Sequence, residues 1–288
     1  MKVAVIGLGK MGASLCADLK AAGAQIAGAD ADPRAVDYCV SENLVDEGFS
    51  SPAGIPADTG IYVLAVPVEF MGDVTRELFS SPRPGAVVTD MGSVKESVMR
   101  SVEDALPAGV SFVPAHPIAG DERHGAQSGG RGIFQGKPVI ITGGEGDALA
   151  AVEDMWKKTG ARIVRMTAGE HDRMFAFLSH LPHVCAYALA AAAAEAGRSN
   201  GEAFALSGGG LDDTTRIAMS DPEMWAGILV ENSAHVLAAL ERFSASVAEV
   251  TEAVRAGDKG ALAEILERGR AAKALFRKDR PAPPPRRL

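Results

Sequence analysis

The chain has 288 residues, 47% apolar and 23% charged, which excludes a disordered or collagen-like polymer and leaves room for two domains without disulfide or metal staples. Its 29 Lys and Arg against 37 Asp and Glu give a net charge of −8, which disfavours nucleic acid as a partner and requires any anionic ligand to find a locally basic pocket. Three cysteines, Cys16, Cys39 and Cys185, show no CxxC spacing and so point to a reducing, cytoplasmic setting.

The first residues, MKVAVIGLGKMG, are apolar but are cut by Gly7 and Gly9 and closed by Lys10, which reads as a strand and not as a targeting segment. Apolar runs at 3–6, 25–28, 61–64, 86–89, 139–142 and 162–165 predict strands buried on both faces of a parallel sheet. Amphipathic stretches at 11–22 and 148–159 predict helices between them, so residues 1–167 form βαβ units of a doubly wound α/β domain. From residue 168 helix formers dominate, most densely at 185–196, and 168–278 is expected to be all-α. Within it, Ser220-Asp221-Pro222-Glu223 signals a helix start with Pro in the first turn, and the helix is expected to reach about residue 247. The longest uninterrupted apolar run, 184–194, falls short of the roughly 20 residues of a membrane span, so no membrane is expected. The Pro-rich, charged residues 279–288 read as a disordered tail.

Gly7-Leu8-Gly9-Lys10-Met11-Gly12 lies between the first predicted strand and the first predicted helix. In that context the three glycines serve a tight turn, a close approach of pyrophosphate to backbone, and close helix–strand packing. The helix N-terminus then supplies free N–H groups and a favourable dipole for phosphate. Asp30 ends the second strand 23 residues after Gly7, where a carboxylate accepts ribose hydroxyls and repels a 2′-phosphate. This favours NAD over NADP, with nearby Arg34 as the counter-argument. A glycine-rich turn in an unrelated βαβ unit is the competing interpretation. Pro67, after the 61–64 strand, either lines the cofactor groove or is a plain turn proline.

Of six histidines, His116 stands just after a predicted strand, with Pro117 holding its backbone extended. Carboxyl ends of strands are where open α/β sheets bind ligands, and Ser93 ends the preceding strand. A structural histidine bonded to backbone explains His116 equally well from position alone. His180 and His183, three residues apart in SHLPH, share a helical face, and Pro182 kinks that helix or marks its first turn. No Cys, Asp or Glu completes a metal set with them, so no metal is expected. Arg216 follows the glycine-rich 208–215 segment, read as a flexible turn. It either binds a carboxylate bidentately or pairs with Asp212 or Asp213. Trp225 reads as core or interface.

Taken together, GxGxxG with Asp30, TDMGSVK (89–95), HPIAG (116–120), SHLPH (179–183) and GGGLDDTTRIAMSDPEMW (208–225) resemble the prephenate/arogenate dehydrogenase family of tyrosine biosynthesis. The resemblance extends to about residue 275. It implies an N-terminal Rossmann-like domain and an all-α C-terminal dimerisation domain, with the active site between them and a homodimer as the assembly. It also implies oxidative decarboxylation of prephenate to 4-hydroxyphenylpyruvate, a hydride passing from ring C4 to NAD. By the same resemblance His116 engages the substrate 4-hydroxyl, Ser93 hydrogen-bonds around it, and Arg216 binds a substrate carboxylate. His183 is a second substrate contact, His180 lies near the nicotinamide, and Glu122 lines the entrance. Within these 288 residues neither a fused chorismate mutase domain nor a separate regulatory domain is expected, unlike the family's bifunctional or regulated members.

Arogenate differs from prephenate by an amine in place of a keto group. His183 suits the keto side chain and Asp213 would attract an ammonium; prephenate is the reading adopted. A β-hydroxyacid dehydrogenase also joins such domains but uses a lysine from the helical half, and residues 168–257 contain none. A non-catalytic NAD-binding regulator would explain the fingerprint and helices but not the histidine, serine and arginine.

Overall fold

The computed structural model describes residues 1–81, 83–197 and 206–278; the predicted tail, 279–288, lies outside the described residues. The chain divides into two compact units, Met1–Val236 and Leu237–Leu288.

In chain order the first unit begins with β1 (Lys2–Ile6), α1 (Lys10–Ala21), β2 (Gln25–Ala29), α2 (Pro33–Ser41), β3 (Glu47–Phe49) and β4 (Ile61–Leu64). It continues through α3 (Met71–Leu78), β5 (Val87–Asp90), α4 (Glu96–Glu103) and β6 (Ser111–Val113). The six strands form one parallel sheet in the order β3-β2-β1-β4-β5-β6. Side chains alternate across it, as the two-residue strand period requires. Val3, Val5 and Val63 enter one core with Leu15, Leu19 and Trp156, while Ala4, Ile6, Tyr62 and Leu64 enter the other with Met71 and Val98. Burial on both faces is why these strands read as continuous apolar runs. The order in which strands are added reverses between β1 and β4, and a doubly wound sheet binds ligands at such a switch point.

The predicted strands at 139–142 and 162–165 are present, shifted by at most a residue, but they leave this sheet. β7 (Ala115–Pro117), β8 (Pro138–Ile141) and β9 (Arg162–Arg165), with α5 (Gly146–Lys158) between the last two, build a separate three-stranded sheet. β7 pairs antiparallel with β8, His116 opposite Ile140. Pro114, which has no N–H to continue a ladder, separates β6 from β7. His116 therefore stands inside a short strand of its own and not in a loop after one. β3, β6 and β7 have three residues each, too few for a hydrophobic period to show.

The helical segment opens with α6 (Ala168–Phe175), whose N-cap Thr167 exchanges hydrogen bonds with Glu170 in a capping box. A π-helical turn, Ala176–His180, leads into α7 (Leu181–Gly197), so Pro182 occupies a first turn and the helix runs on. The continuous run Ala168–Gly197 is long and apolar enough to cross a membrane by length and composition, which the longest apolar run alone did not register. It also carries the buried polar residues His171, Asp172 and His180, a costly content for a lipid-facing helix.

α8 (Gly209–Thr215) forms where a flexible turn was expected, and a 3₁₀ turn, Arg216–Met219, follows. Asp221 caps α9 (Pro222–Glu231) by accepting from the Glu223 N–H, with Pro222 in the first turn, as the sequence predicts. That helix stops at Glu231 and not near 247. Asn232 ends it because its amide turns inward to tertiary partners, and α10 (Ser233–Ala256) starts afresh. Within Leu237–Leu288, Gly257 at φ +64° separates α10 from α11 (Lys259–Lys278), and Arg268 pairs with Glu249.

Candidate active site

The turn after β1 shows why each glycine of the fingerprint stands where it does. Gly7 has φ +98°, and a Cβ there would fall 2.3 Å from the Ala65 carbonyl oxygen. A Cβ on Gly12 would fall 1.9 Å from the Gly7 oxygen, so only glycine lets α1 sit this close to β1. Gly9 differs: among the described residues nothing lies within 4 Å of its Cβ position, and it is the N-cap of α1 with no side-chain cap. An uncapped helix N-terminus beside open space fits the pyrophosphate of a dinucleotide. The side chains between the glycines face elsewhere. Leu8 is buried in the core, Lys10 is ion-paired with Asp121, and Met11 packs against that core, so this cradle is backbone.

Asp30 follows β2 and accepts hydrogen bonds from the N–H groups of Leu8 (2.6 Å) and Asp32 (2.8 Å). This fixes its carboxylate at the mouth of the cradle. Arg34 is committed to its neighbour, donating from Nε (3.0 Å) and Nη2 (2.9 Å) to Asp32. Pro67 is exposed beyond β4, as N-cap of a short 3₁₀ turn.

Beyond the carboxyl ends of β5 and β6, the same edge of the parallel sheet as the cradle, His116 in β7 is 91% buried. Its Nδ1 lies 2.7 Å from Nε2 of His171, whose Nδ1 lies 2.7 Å from Oδ1 of Asp172. Phe175 stacks on His171 with centroids 4.5 Å apart and stands 5.1 Å from the His116 ring. Beneath them Lys95, fully buried, is ion-paired with buried Asp90 and donates to the Ala115 carbonyl at 2.7 Å. Asp90 Oδ1 accepts the Ala115 N–H at 2.9 Å. The Lys95–Asp90 pair thus clamps both backbone polar groups of the residue preceding His116. Burial pushes His116 well below the ordinary imidazole range, with His171, Lys95 and His180 adding to the effect. His171 is lowered by burial against the opposing pull of Asp172. Both rings are therefore neutral at neutral pH.

Ser93 is partly buried in the turn between β5 and α4, and its backbone faces His180. His180 is fully buried; its Nδ1 meets the Asn232 amide at 3.0 Å, and its Nε2 has no hydrogen-bond partner among the described residues. Burial brings its pKa down to about 4. His183 stacks on Trp225 with centroids 3.4 Å apart, and His180 meets the same indole edge-on at 6.1 Å. The two histidines do share a face, and Trp225 is what they share. Arg216 pairs with neither Asp212 nor Asp213: it donates to Glu122 at 2.7 Å, joining two residues 94 positions apart. Among the described residues no group of three or more His, Cys, Asp or Glu is placed to hold a metal ion.

Sequence reading missed His171, Asp172, Lys95 and Asn232. Lys95 lies inside the TDMGSVK segment, and His171-Asp172 forms an adjacent imidazole–carboxylate pair just inside a capped helix. Both were visible as residue types, but neither advertises its distant partner.

A doubly wound sheet with a bare glycine cradle at its switch point, joined to helices carrying buried imidazoles, makes this a dinucleotide-dependent oxidoreductase. Residues 15–165 match the prephenate dehydrogenase nucleotide-binding domain and residues 167–268 the prephenate dehydrogenase dimerization domain. The chain belongs to the prephenate dehydrogenase family. It is 32% identical to a cyclohexadienyl dehydrogenase of Zymomonas mobilis over 96% of each chain. It resembles the prephenate dehydrogenase of A. aeolicus, solved with hydroxyphenyl propionate and NAD+, at TM-score 0.88 and 31% identity, covering 96% of this chain and 98% of that one. A Synechocystis arogenate dehydrogenase matches at TM-score 0.79 and 25% identity, covering 96% of this chain and all of the other (100%).

Proposed function

We propose that this enzyme carries out NAD-dependent oxidative decarboxylation of prephenate to 4-hydroxyphenylpyruvate, acting as a homodimer. The observation that carries the reading is the buried, neutral His116 ring of the HPIAG motif on the same chain as the open dinucleotide cradle. The α1 N-terminus and Gly9 would hold the pyrophosphate, and Asp30 the ribose hydroxyls. Asp30 disfavours a 2′-phosphate, and Arg34, already bidentate on Asp32, is not free to attract one. When bound, NAD supplies the hydride acceptor.

His116 accepts the proton of the substrate 4-hydroxyl as ring C4 is oxidised, and returns it to that oxygen as CO2 leaves C1 and the ring becomes aromatic. A neutral imidazole suits this role, and such proton transfer typically contributes about 10²–10⁴-fold. Ser93 hydrogen-bonds around the same hydroxyl. Arg216 binds a substrate carboxylate bidentately, a role in which the incoming carboxylate replaces Glu122. His183 is a second contact to the substrate side chain, and His180 lies toward the nicotinamide. The dimerization-domain match and exposed Leu237, Phe243, Val247 and Val254 on α10 support the homodimer.

Arogenate is the second reading, since the Synechocystis relative is named an arogenate dehydrogenase. Absorbance at ~340 nm, the band of reduced nicotinamide, tests both when NAD is mixed with either substrate. Turnover of prephenate with the higher kcat/KM is expected. Higher kcat/KM for arogenate would reassign the substrate, and no turnover of either would overturn the proposal.

A further inference from the structure

Both carboxylate oxygens of Asp172 are committed. Oδ1 accepts the Lys95 N–H and Oδ2 the Glu96 N–H, each at 2.8 Å, so the group sits at the entry to α4. Oδ1 also lies 2.7 Å from His171 Nδ1, and the Asn232 amide donates to the Asp172 carbonyl at 2.9 Å. Burial alone would raise the Asp172 pKa, but the hydrogen bonds from His171, Glu96 and Lys95 bring it below the usual carboxylate value. Asp172 is therefore ionised, and an ionised carboxylate can only accept.

That fixes the protons along the chain of contacts. Facing a pure acceptor, His171 Nδ1 must carry the hydrogen. A neutral imidazole has one N–H, so His171 Nε2 is a lone pair. His116 Nδ1, 2.7 Å away, must then be the donor, and the lone pair of His116 is on Nε2. Stacking on Phe175 (16° between planes) holds the His171 ring in the orientation this requires.

We propose that Asp172 and His171 are positioning residues that lock His116 in its Nδ1-protonated tautomer, presenting a bare Nε2 to the substrate hydroxyl. The proposal rests on the dehydrogenase reading above and supplies the orientation that reading needs. In the step itself the hydroxyl O–H bond breaks and an Nε2–H bond forms on His116. The resulting imidazolium keeps its Nδ1–H on His171, whose own N–H points at Asp172, so the new positive charge is stabilised by a carboxylate two hydrogen bonds away. Two groups oppose that charge. Lys95 from the β5–α4 turn, neutralised by Asp90, and His180 from the π-helical turn both face the cluster. The net effect is a base that is neutral at rest and charged only transiently.

The test reads the tautomer directly. Two-dimensional ¹⁵N–¹H correlation on histidine-labelled protein at pH 7, with His116→Asn to assign the signals, should show a pyrrole-type Nδ1 and a pyridine-type Nε2 on His116. A protonated Nε2 in the resting protein overturns the proposal, whatever the activity. Because the resting protein is observed, absence of turnover would overturn the dehydrogenase reading and leave this result standing. Kinetics give the second arm. His171→Leu should lose the single tautomer and lower kcat by about 10-fold or more, with dinucleotide KM unchanged, as expected when a base loses the group that fixes its tautomer. His171→Gln keeps an acceptor oxygen and should retain both the tautomer and most of kcat. Equal kcat in His171→Leu and native enzyme would refute the relay.

Discussion

Gly9 and Gly12 are chemically identical and three residues apart, yet the structure assigns them opposite consequences when each is changed to alanine. At Gly12 the new methyl would stand 1.9 Å from the Gly7 oxygen and 3.3 Å from Val5 Cγ1. The obstacle is backbone in the central turn of the sheet, so α1 must lift away from β1. Overpacking of this kind costs about 1–3 kcal/mol or more, and at roughly 2–4 °C per kcal/mol for a chain of this size the melting temperature should fall by about 6–12 °C at the upper figure. At Gly9 the methyl enters open space, and the residue's φ of −63° suits any amino acid. Reduced unfolded-state entropy favours alanine there by about 0.4–1 kcal/mol. Loss of a preferred N-cap residue offsets this by a similar amount, so stability should stay within about 1 kcal/mol of native. The space the methyl fills is where pyrophosphate must approach the helix, so NAD affinity should fall by about tenfold or more, some 1.4 kcal/mol. Differential scanning fluorimetry and isothermal titration with NAD separate the two effects. Native NAD affinity in Gly9→Ala, or a native melting temperature in Gly12→Ala, would refute the cradle.

His116→Asn should lower kcat steeply while leaving the NAD dissociation constant nearly intact, and an unchanged kcat in steady-state assays would remove His116 from the proton transfer. Arg216→Ala should chiefly raise substrate KM; an unmoved KM would mean that another residue holds the carboxylate. Lys95→Met leaves Asp90 charged and buried without its partner, a change worth about 3–5 kcal/mol. Denaturant unfolding should show that loss, and a native midpoint would show that the pair is dispensable. The folded-state pKa of His180, about 4, lies below the ordinary imidazole value of 6.5, so between those values the unfolded chain binds a proton that the folded chain does not. Stability is thus complete above about pH 6.5 and is lost as pH falls towards 4. His180 alone removes about 2 kcal/mol by pH 5, to which His116 and His171, also lowered by burial, add in the same direction. Urea midpoints at pH 8 and pH 5 check this, and equal midpoints would contradict it.

Local chemistry was legible in the amino-acid order. The β1–turn–α1 unit declares itself because its apolar run, its glycines and its helix are contiguous, and the need for Gly7 at positive φ is met within three residues of chain. Asp221-Pro222 marks a helix start for the same reason: a cap and its N–H partner are two positions apart. The helix end at Asn232 was not legible, because what stops the helix is an amide reaching Asp172 and His180, 60 and 52 residues away. Arg216 shows the same division. Its residue type and setting suggest carboxylate binding, but only folding replaces the adjacent aspartates with Glu122 as its partner.

What the sequence by itself determined is therefore the strand–turn–helix grammar, the dinucleotide cradle and the set of residue types available for chemistry. What only the tertiary structure decided is which of those residues meet. His116 acquires its neutral charge state from burial, and its relay from a histidine 55 positions later. Burial of one polar ring in a three-residue strand and a long-range hydrogen bond leave no periodic or local trace in the chain, since both arise only when separate elements are packed against one another.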